Sequence, residues 1–170
     1  MNYKWIGAIL IIGSCAGFGI SIAARQKREE MLLRQLSAMI DTMLWELPFQ
    51  LTPLPDLVRH AAEKKTGMLG SLFWGMAEQM DRQVFPDAVS CMEAEMPRGI
   101  QTYPRLKKSL LQLGTSLGRF DLEGQLKGLN AVRCQCEREF HELHQDRDTR
   151  LRSYRVLGLC AGVALAILLI

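Results

Sequence analysis

The sequence has little net charge and few cysteines. Its 170 residues carry 21 lysines and arginines against 18 aspartates and glutamates, which gives a formal charge of +3. This excess is too small to indicate a nucleic-acid-binding protein. The five cysteines are odd in number and irregularly spaced, so they indicate no disulfide framework. We therefore expect no nucleic-acid partner, and we expect reduced thiols in a reducing compartment.

Motifs that carry chemistry are also lacking. The chain has no phosphate-binding glycine loop, no dinucleotide fingerprint and no zinc-protease helix motif, which argues against an enzyme and against a bound cofactor. The closest approach to a metal site is a set of four residues: Cys134, Cys136, His141 and His144. On a helix, Cys136 points roughly opposite to Cys134. One helix cannot enclose an ion with these side chains, so we predict no metal site.

Charged residues are missing from both ends of the chain. Residues 5–24 form an uncharged run of 20 residues, about 30 Å as a helix, which matches the hydrocarbon thickness of a bilayer. We predict an N-terminal transmembrane segment over residues 1–24, with a cleaved signal peptide or acylation of Cys15 as the alternatives. Residues 156–170 form a second run, of 15 residues. This run is short for a span, but we predict a C-terminal transmembrane segment, with a buried core helix as the alternative.

Basic residues border both predicted spans on the side of the central segment. Three follow the first span and four precede the second: Arg25, Lys27, Arg28, Arg147, Arg150, Arg152 and Arg155. Only Lys4 lies beyond the first span on the other side. The positive-inside rule therefore places residues 25–155 in the cytoplasm and both termini outside.

Glycines recur four residues apart within the predicted spans. The pairs are Gly13 with Gly17, and Gly158 with Gly162. This spacing lets another helix approach closely in a membrane, so the four glycines are candidate positions for membrane helix packing. Glycine is also common in membrane helices that make no such contact.

The central segment has the apolar spacing of helices throughout. The first stripe consists of Leu32, Leu36, Met39, Met43 and Leu47, and the last of Leu122, Leu126, Leu129, Val132, Cys136, Phe140 and Leu143. We predict that the first helix ends before Pro48 and that Thr52 caps the next one. We also predict that Pro86 opens a helix and that Asp121 caps the last. The predicted fold is all-α, a bundle of about six helices over residues 25–155, flanked by N- and C-terminal transmembrane helices.

The order of these features resembles the stage III sporulation protein AB family. Three stretches carry the resemblance: residues 35–54 with Thr52-Pro53-Leu54, residues 113–118 followed by Asp121 and Gln125, and residues 154–170 with Leu157-Gly158. The similarity covers nearly the whole chain, and the order and spacing of the blocks are more specific than any one block. The chain departs from the family pattern at Phe49-Gln50, before the turn, and at Phe120.

The resemblance implies a role. The family is similar to the cytoplasmic domain of the type II secretion platform protein, which implies a non-enzymatic platform in the channel between mother cell and forespore. The implied location is the mother-cell membrane around the forespore. The implied partners are the lipid bilayer, a secretion-type ATPase and ring-forming proteins of the same operon, and self-association into a homo-oligomer is a further candidate. The alternatives are a two-span adaptor or sensor outside sporulation and a small metal-binding membrane protein.

Two segments are candidate docking sites for such a partner. One is the turn of Thr52, Pro53 and Leu54, and the other is the loop from Gly114 to Asp121. The candidate residues in and after that loop are Arg119, Asp121 and Glu123. Loops on rigid scaffolds often carry binding contacts. Thr52 and Asp121 have an alternative role as helix caps, so Arg119 and Glu123 are the better probes of binding.

Overall fold

The part of the chain described by the computed structural model is entirely helical in its regular elements. The backbone is described for residues 2–50, 52–63, 65–118 and 121–169, and the side chains for residues 24–48, 52–63, 65–118 and 121–145. The elements are α1 (Asn2–Gln50), α2 (Leu54–Ala62), α3 (Met68–Asp81), α4 (Ala88–Ala94), a 3-10 helix (Arg98–Thr102), α5 (Pro104–Ser116) and α6 (Leu122–Leu169). Six α-helices and no strand over the described residues confirm the predicted all-α fold.

The chain divides into two compact units. One is Glu29–Phe140, and the other consists of Met1–Arg28 and His141–Ile170. The side chains of the predicted spans lie almost wholly outside the described residues, and so do the four candidate packing glycines. Where side chains are described, no helix combines the length and the apolarity needed to cross a membrane. The spans and their glycine contacts therefore stay predictions.

The core of the unit Glu29–Phe140 is built from the apolar faces of its helices. Five side chains of α1 are fully buried: Leu33, Leu36, Met39, Ile40 and Met43. In α6 the predicted face is buried at Leu129, Val132 and Cys136, whereas Leu122, at the start of the helix, is 41% exposed. Burial of whole helix faces is the main source of stability for such a bundle.

Three predicted helix boundaries are wrong. Helix α1 continues through Pro48 to Gln50. A proline so close to a helix end removes only one backbone hydrogen bond, which explains why it is tolerated there. Helix α2 begins after Pro53, and no side chain caps it, so Thr52 is not its cap. Helix α4 begins after Asp87, whose carboxylate accepts a hydrogen bond from the backbone N–H of Ser90 at 3.1 Å, rather than at Pro86.

The predicted cap of the last helix is confirmed. The Oδ1 atom of Asp121 accepts a hydrogen bond from the backbone N–H of Gly124 at 3.1 Å. Such a cap satisfies one of the donors that have no partner within the first turn of a helix. The start of α6 is therefore fixed by its own local sequence.

Helix α5 is capped by a residue distant in sequence. No local side chain caps its N-terminus, but the Oε1 atom of Glu29 in α1 accepts hydrogen bonds from the backbone N–H groups of Arg105, at 3.0 Å, and Leu106, at 3.4 Å. A carboxylate also complements the positive end of the helix dipole. Glu29 is only 6% exposed, so this contact fixes α1 against the start of α5.

Candidate docking groove

Three segments of the unit Glu29–Phe140 line a groove of about 600 Å³. They are the start of α2, the end of α3 with the following loop and the first turn of α4, and the end of α5. The apolar lining includes Leu54, Pro55, Met80, Phe85, Pro86 and Leu117. The polar residues Gln83 and Asp87 also line it. A concavity of this volume is within the usual range of binding pockets, so it can receive side chains of a partner.

The structure brings the two predicted docking segments together at this groove. Gly118 has a φ of +75°, a conformation that favours glycine. A Cβ atom on Gly118 would lie 3.2 Å from Cδ2 of Leu54, so the residue that follows the end of α5 lies against the first side chain of α2. Leu54, Leu117 and Gly118 all line the groove. The turn and the loop that were predicted separately therefore contribute to one surface.

The loop from Arg82 to Asp87 forms the third wall, which the sequence did not indicate. Phe85 lines the groove and is 36% exposed, and the neighbouring Val84 is 55% exposed. Gln83 has a φ of +52°, an uncommon conformation for a residue other than glycine. The signal that could have identified this loop is a pair of large apolar residues, Val84 and Phe85, that precede Pro86 and lie outside any helical stripe.

A buried carboxylate holds the turn that precedes α2. Glu46, in α1, is 7% exposed. Its Oε1 atom accepts a hydrogen bond from Oγ1 of Thr52 at 3.4 Å and lies 2.6 Å from Nδ1 of His60 in α2. The hydrogen bond to Glu46 raises the pKa of His60 above its usual value, against the opposing effect of burial. Thr52 thus contributes to the groove by positioning the turn that leads to Leu54.

The outer face of α2 and α3 carries an ordered cluster of charges. Arg59 forms ion pairs with Asp56, at 2.6 Å, and with Asp81 in α3. Its guanidinium carbon also lies 5.7 Å from the centre of the Trp74 ring, a distance at which a cation is attracted to an aromatic face. The hydrogen bond to Asp81 raises the pKa of Arg59 further. These contacts join α2 to α3 next to the groove.

The remaining predicted docking residues lie at the start of α6 or outside the residues that the structure describes. Asp121 is an exposed cap. Glu123 forms an ion pair with Lys127 at 2.6 Å, and both side chains are more than 70% exposed, so this pair contributes little to stability. Arg119 lies outside the described residues. Binding at these three positions stays a prediction.

The cysteines and histidines considered for metal binding do not form a cluster in the described part of the chain. Over those residues no group of three or more histidines, cysteines or carboxylates could hold a metal ion. Cys134 is exposed, whereas Cys136 is buried, and burial raises the pKa of the Cys136 thiol to about 11. Burial also raises the pKa of Cys91, which lines the groove. Cys136 and Cys91 therefore behave as protonated thiols of the core.

Comparison with known proteins gives one consistent result. A family model described as stage III sporulation protein AB matches residues 4–170. The chain is 25% identical to stage III sporulation protein AB of Bacillus subtilis (strain 168) over 170 residues, with 98% of each chain covered. A solved structure of a stage III sporulation protein AB has the same fold, with a TM-score of 0.57 at 20% identity, and the match covers 69% of this chain and 94% of that one. The chain therefore belongs to the stage III sporulation protein AB family.

Proposed function

We propose that this chain is a non-enzymatic membrane platform in the channel complex between mother cell and forespore. Its family gives it a role in sporulation. In this proposal two terminal helices anchor the chain in the mother-cell membrane around the forespore, with the lipid bilayer and ring-forming proteins of the same operon as partners. The helical unit between them faces the mother-cell cytoplasm, as the basic residues beside both predicted spans indicate.

The groove is the observation that supports a docking role most directly. Apolar side chains make up much of its lining, it is formed by segments that start and end rigid helices, and Phe85, which lines it, is 36% exposed. Exposed apolar surface around a concavity is typical of protein interaction sites, and loops on a rigid scaffold are well suited to carry contacts. We assign the groove to the secretion-type ATPase of the same operon.

Replacing Phe85 by alanine is expected to weaken binding of that ATPase about tenfold or more, because a few buried aromatic anchors carry most of the energy of an interface. The matched control is Val84→Ala, a change on the same loop at a more exposed apolar residue. This control is expected to change the affinity less than about twofold, because most interface positions are close to neutral. The measurement is the Kd of the full chain, in lipid nanodiscs, for the purified ATPase.

A melting curve for each variant separates lost binding from lost folding. Phe85 is partly exposed, so its truncation is expected to cost about 1 kcal/mol of stability. If Phe85→Ala remains folded and binds the ATPase as tightly as Val84→Ala, the groove is not the docking site.

The orientation of the proposed platform is tested with a reporter protein inserted after Gly67, which is exposed between α2 and α3. A reporter that is active only in the cytoplasm is expected to work there, because basic residues flank both predicted spans on the side of this segment. Activity of a reporter that requires export, at the same site, would reverse the proposed orientation.

A further inference from the structure

Three successive segments meet at the carboxylate of Glu46. Glu46 lies near the end of α1, Thr52 lies in the turn, and His60 lies in α2. A single oxygen of Glu46 contacts both Thr52 Oγ1, at 3.4 Å, and His60 Nδ1, at 2.6 Å. Because Leu54 follows Thr52 by two residues and lines the groove, whatever fixes Thr52 also fixes one wall of that groove.

One partner in this contact is buried and the other is partly exposed. The side chain of Glu46 is 9% exposed and that of His60 is 46% exposed. A carboxylate removed from water is costly unless it is paired and hydrogen-bonded. The exposed imidazole can exchange its proton with solvent, and it changes charge close to neutral pH. The geometry thus places the buried carboxylate of Glu46 in contact with the imidazole of His60, which gains and loses its proton in this pH range.

The other acidic groups around His60 act in the same direction as Glu46. Asp56, in α2, and Glu63, which directly follows α2, also favour the protonated imidazole. The nearby cation, Arg59, is engaged by Asp56 and by Asp81 from α3. Since Glu46 makes the direct hydrogen bond, it supplies the largest of these interactions.

We propose that Glu46 and His60 form a pH-responsive latch that holds the turn from Thr52 to Leu54 against the groove. The consequence for ATPase docking rests on the proposed function, whereas the latch itself does not. When His60 is protonated, it forms an ion pair with Glu46 and the turn is held. When His60 loses its proton, the buried carboxylate keeps only hydrogen bonds from uncharged donors. The turn then loosens.

The sign of the pH dependence follows from the raised pKa of His60. A histidine with a raised pKa in the folded state contributes stability that is fully present below its unfolded value of about 6.5. That contribution is lost as the pH rises through the higher, folded value. The latch is therefore closed in mildly acidic solution and released as the pH rises through the raised pKa of His60.

The amide of Leu57 reports directly on the latch. Its N–H donates to the carbonyl oxygen of Pro53 at 3.0 Å, in the first turn of α2. Hydrogen exchange of this amide is measured in the full chain in lipid nanodiscs from pH 6 to pH 9 and corrected for the intrinsic exchange rate. We expect its protection to fall about threefold over this range, the size expected for a partly exposed ion pair.

Three variants separate the latch from general effects of pH. His60→Gln keeps a hydrogen-bonding side chain without a titrating group, and Glu46→Gln keeps the shape without the charge, so both are expected to give flat profiles. Glu63→Gln removes a charge near His60 that makes no direct contact in the latch, so it should retain the fall. A flat profile in the unchanged chain, or a fall that persists in His60→Gln, overturns the latch.

Measuring ATPase binding by Phe85→Ala beside the exchange profile of Leu57 distinguishes failure of the latch from failure of the docking proposal. If Leu57 shows the expected profile but Phe85→Ala leaves ATPase binding intact, the latch stands and the docking proposal fails. If Phe85→Ala abolishes binding but Leu57 shows a flat profile, docking stands and the latch fails.

Discussion

Replacing Phe73 by alanine is expected to lower the free energy of unfolding of the helical unit by about 3–5 kcal/mol. Phe73 lies in α3, is fully buried, and is the largest fully buried side chain among the described residues. Its removal costs the transfer free energy of the aromatic ring and leaves a cavity that rigid helices cannot fill. The measurement is guanidinium unfolding of the full chain in detergent micelles, followed by circular dichroism.

The neighbouring aromatic residue is the matched control. Trp74 is 47% exposed and packs against Arg59, so Trp74→Ala is expected to lose about 1 kcal/mol, the scale of an exposed cation–π contact. A similar loss for both variants would show that Phe73 lies on the surface and that α3 is rotated relative to this structure.

The contrast between these two aromatics was predictable from the sequence. Leu72, Phe73 and Met76 fall at helical spacing and all three are buried, whereas Trp74 falls outside that stripe. Periodicity identifies the buried face because a helix on a single core must bury one side and expose the other. The same reasoning failed at Leu122, because the stripe of α6 was extended to its first residue, where the helix emerges from a loop.

The turn before α2 and the groove were harder to predict because distant residues determine them. Thr52 before Pro53 has the pattern of a helix cap, but its hydroxyl bonds to Glu46 instead. The groove requires Leu54, Phe85 and Leu117 to come together, and no local pattern indicates such a meeting. Turn and glycine signals led to two predicted docking segments, which contribute Leu54 and Leu117 to the groove, but docking at either segment stays a prediction.

The contact of Glu29 with the start of α5 is the clearest example of an interaction that the sequence does not reveal. It follows a cluster of basic residues, and local patterns suggest an ordinary exposed glutamate at the start of a helix. Instead it is buried and caps α5 across a separation of 76 residues along the chain. Helix α5 has Pro104 in its first turn and no local cap, so its first free N–H groups require a partner from elsewhere.

Replacing Glu29 by alanine is therefore expected to cost about 2–3 kcal/mol of stability, because the N–H groups of Arg105 and Leu106 lose their acceptor. Glu29→Gln keeps an acceptor oxygen and loses only the charge. It is therefore expected to cost only about 1 kcal/mol of stability, the part due to the interaction of the charge with the helix dipole. Unfolding in guanidinium gives both costs, and hydrogen exchange at Arg105 and Leu106 locates them. Exchange at these two amides should accelerate in the alanine variant and stay close to the original in the glutamine variant. If Glu29→Ala costs less than about 0.5 kcal/mol, the level of an ordinary surface change, then α5 does not depend on α1 for its cap.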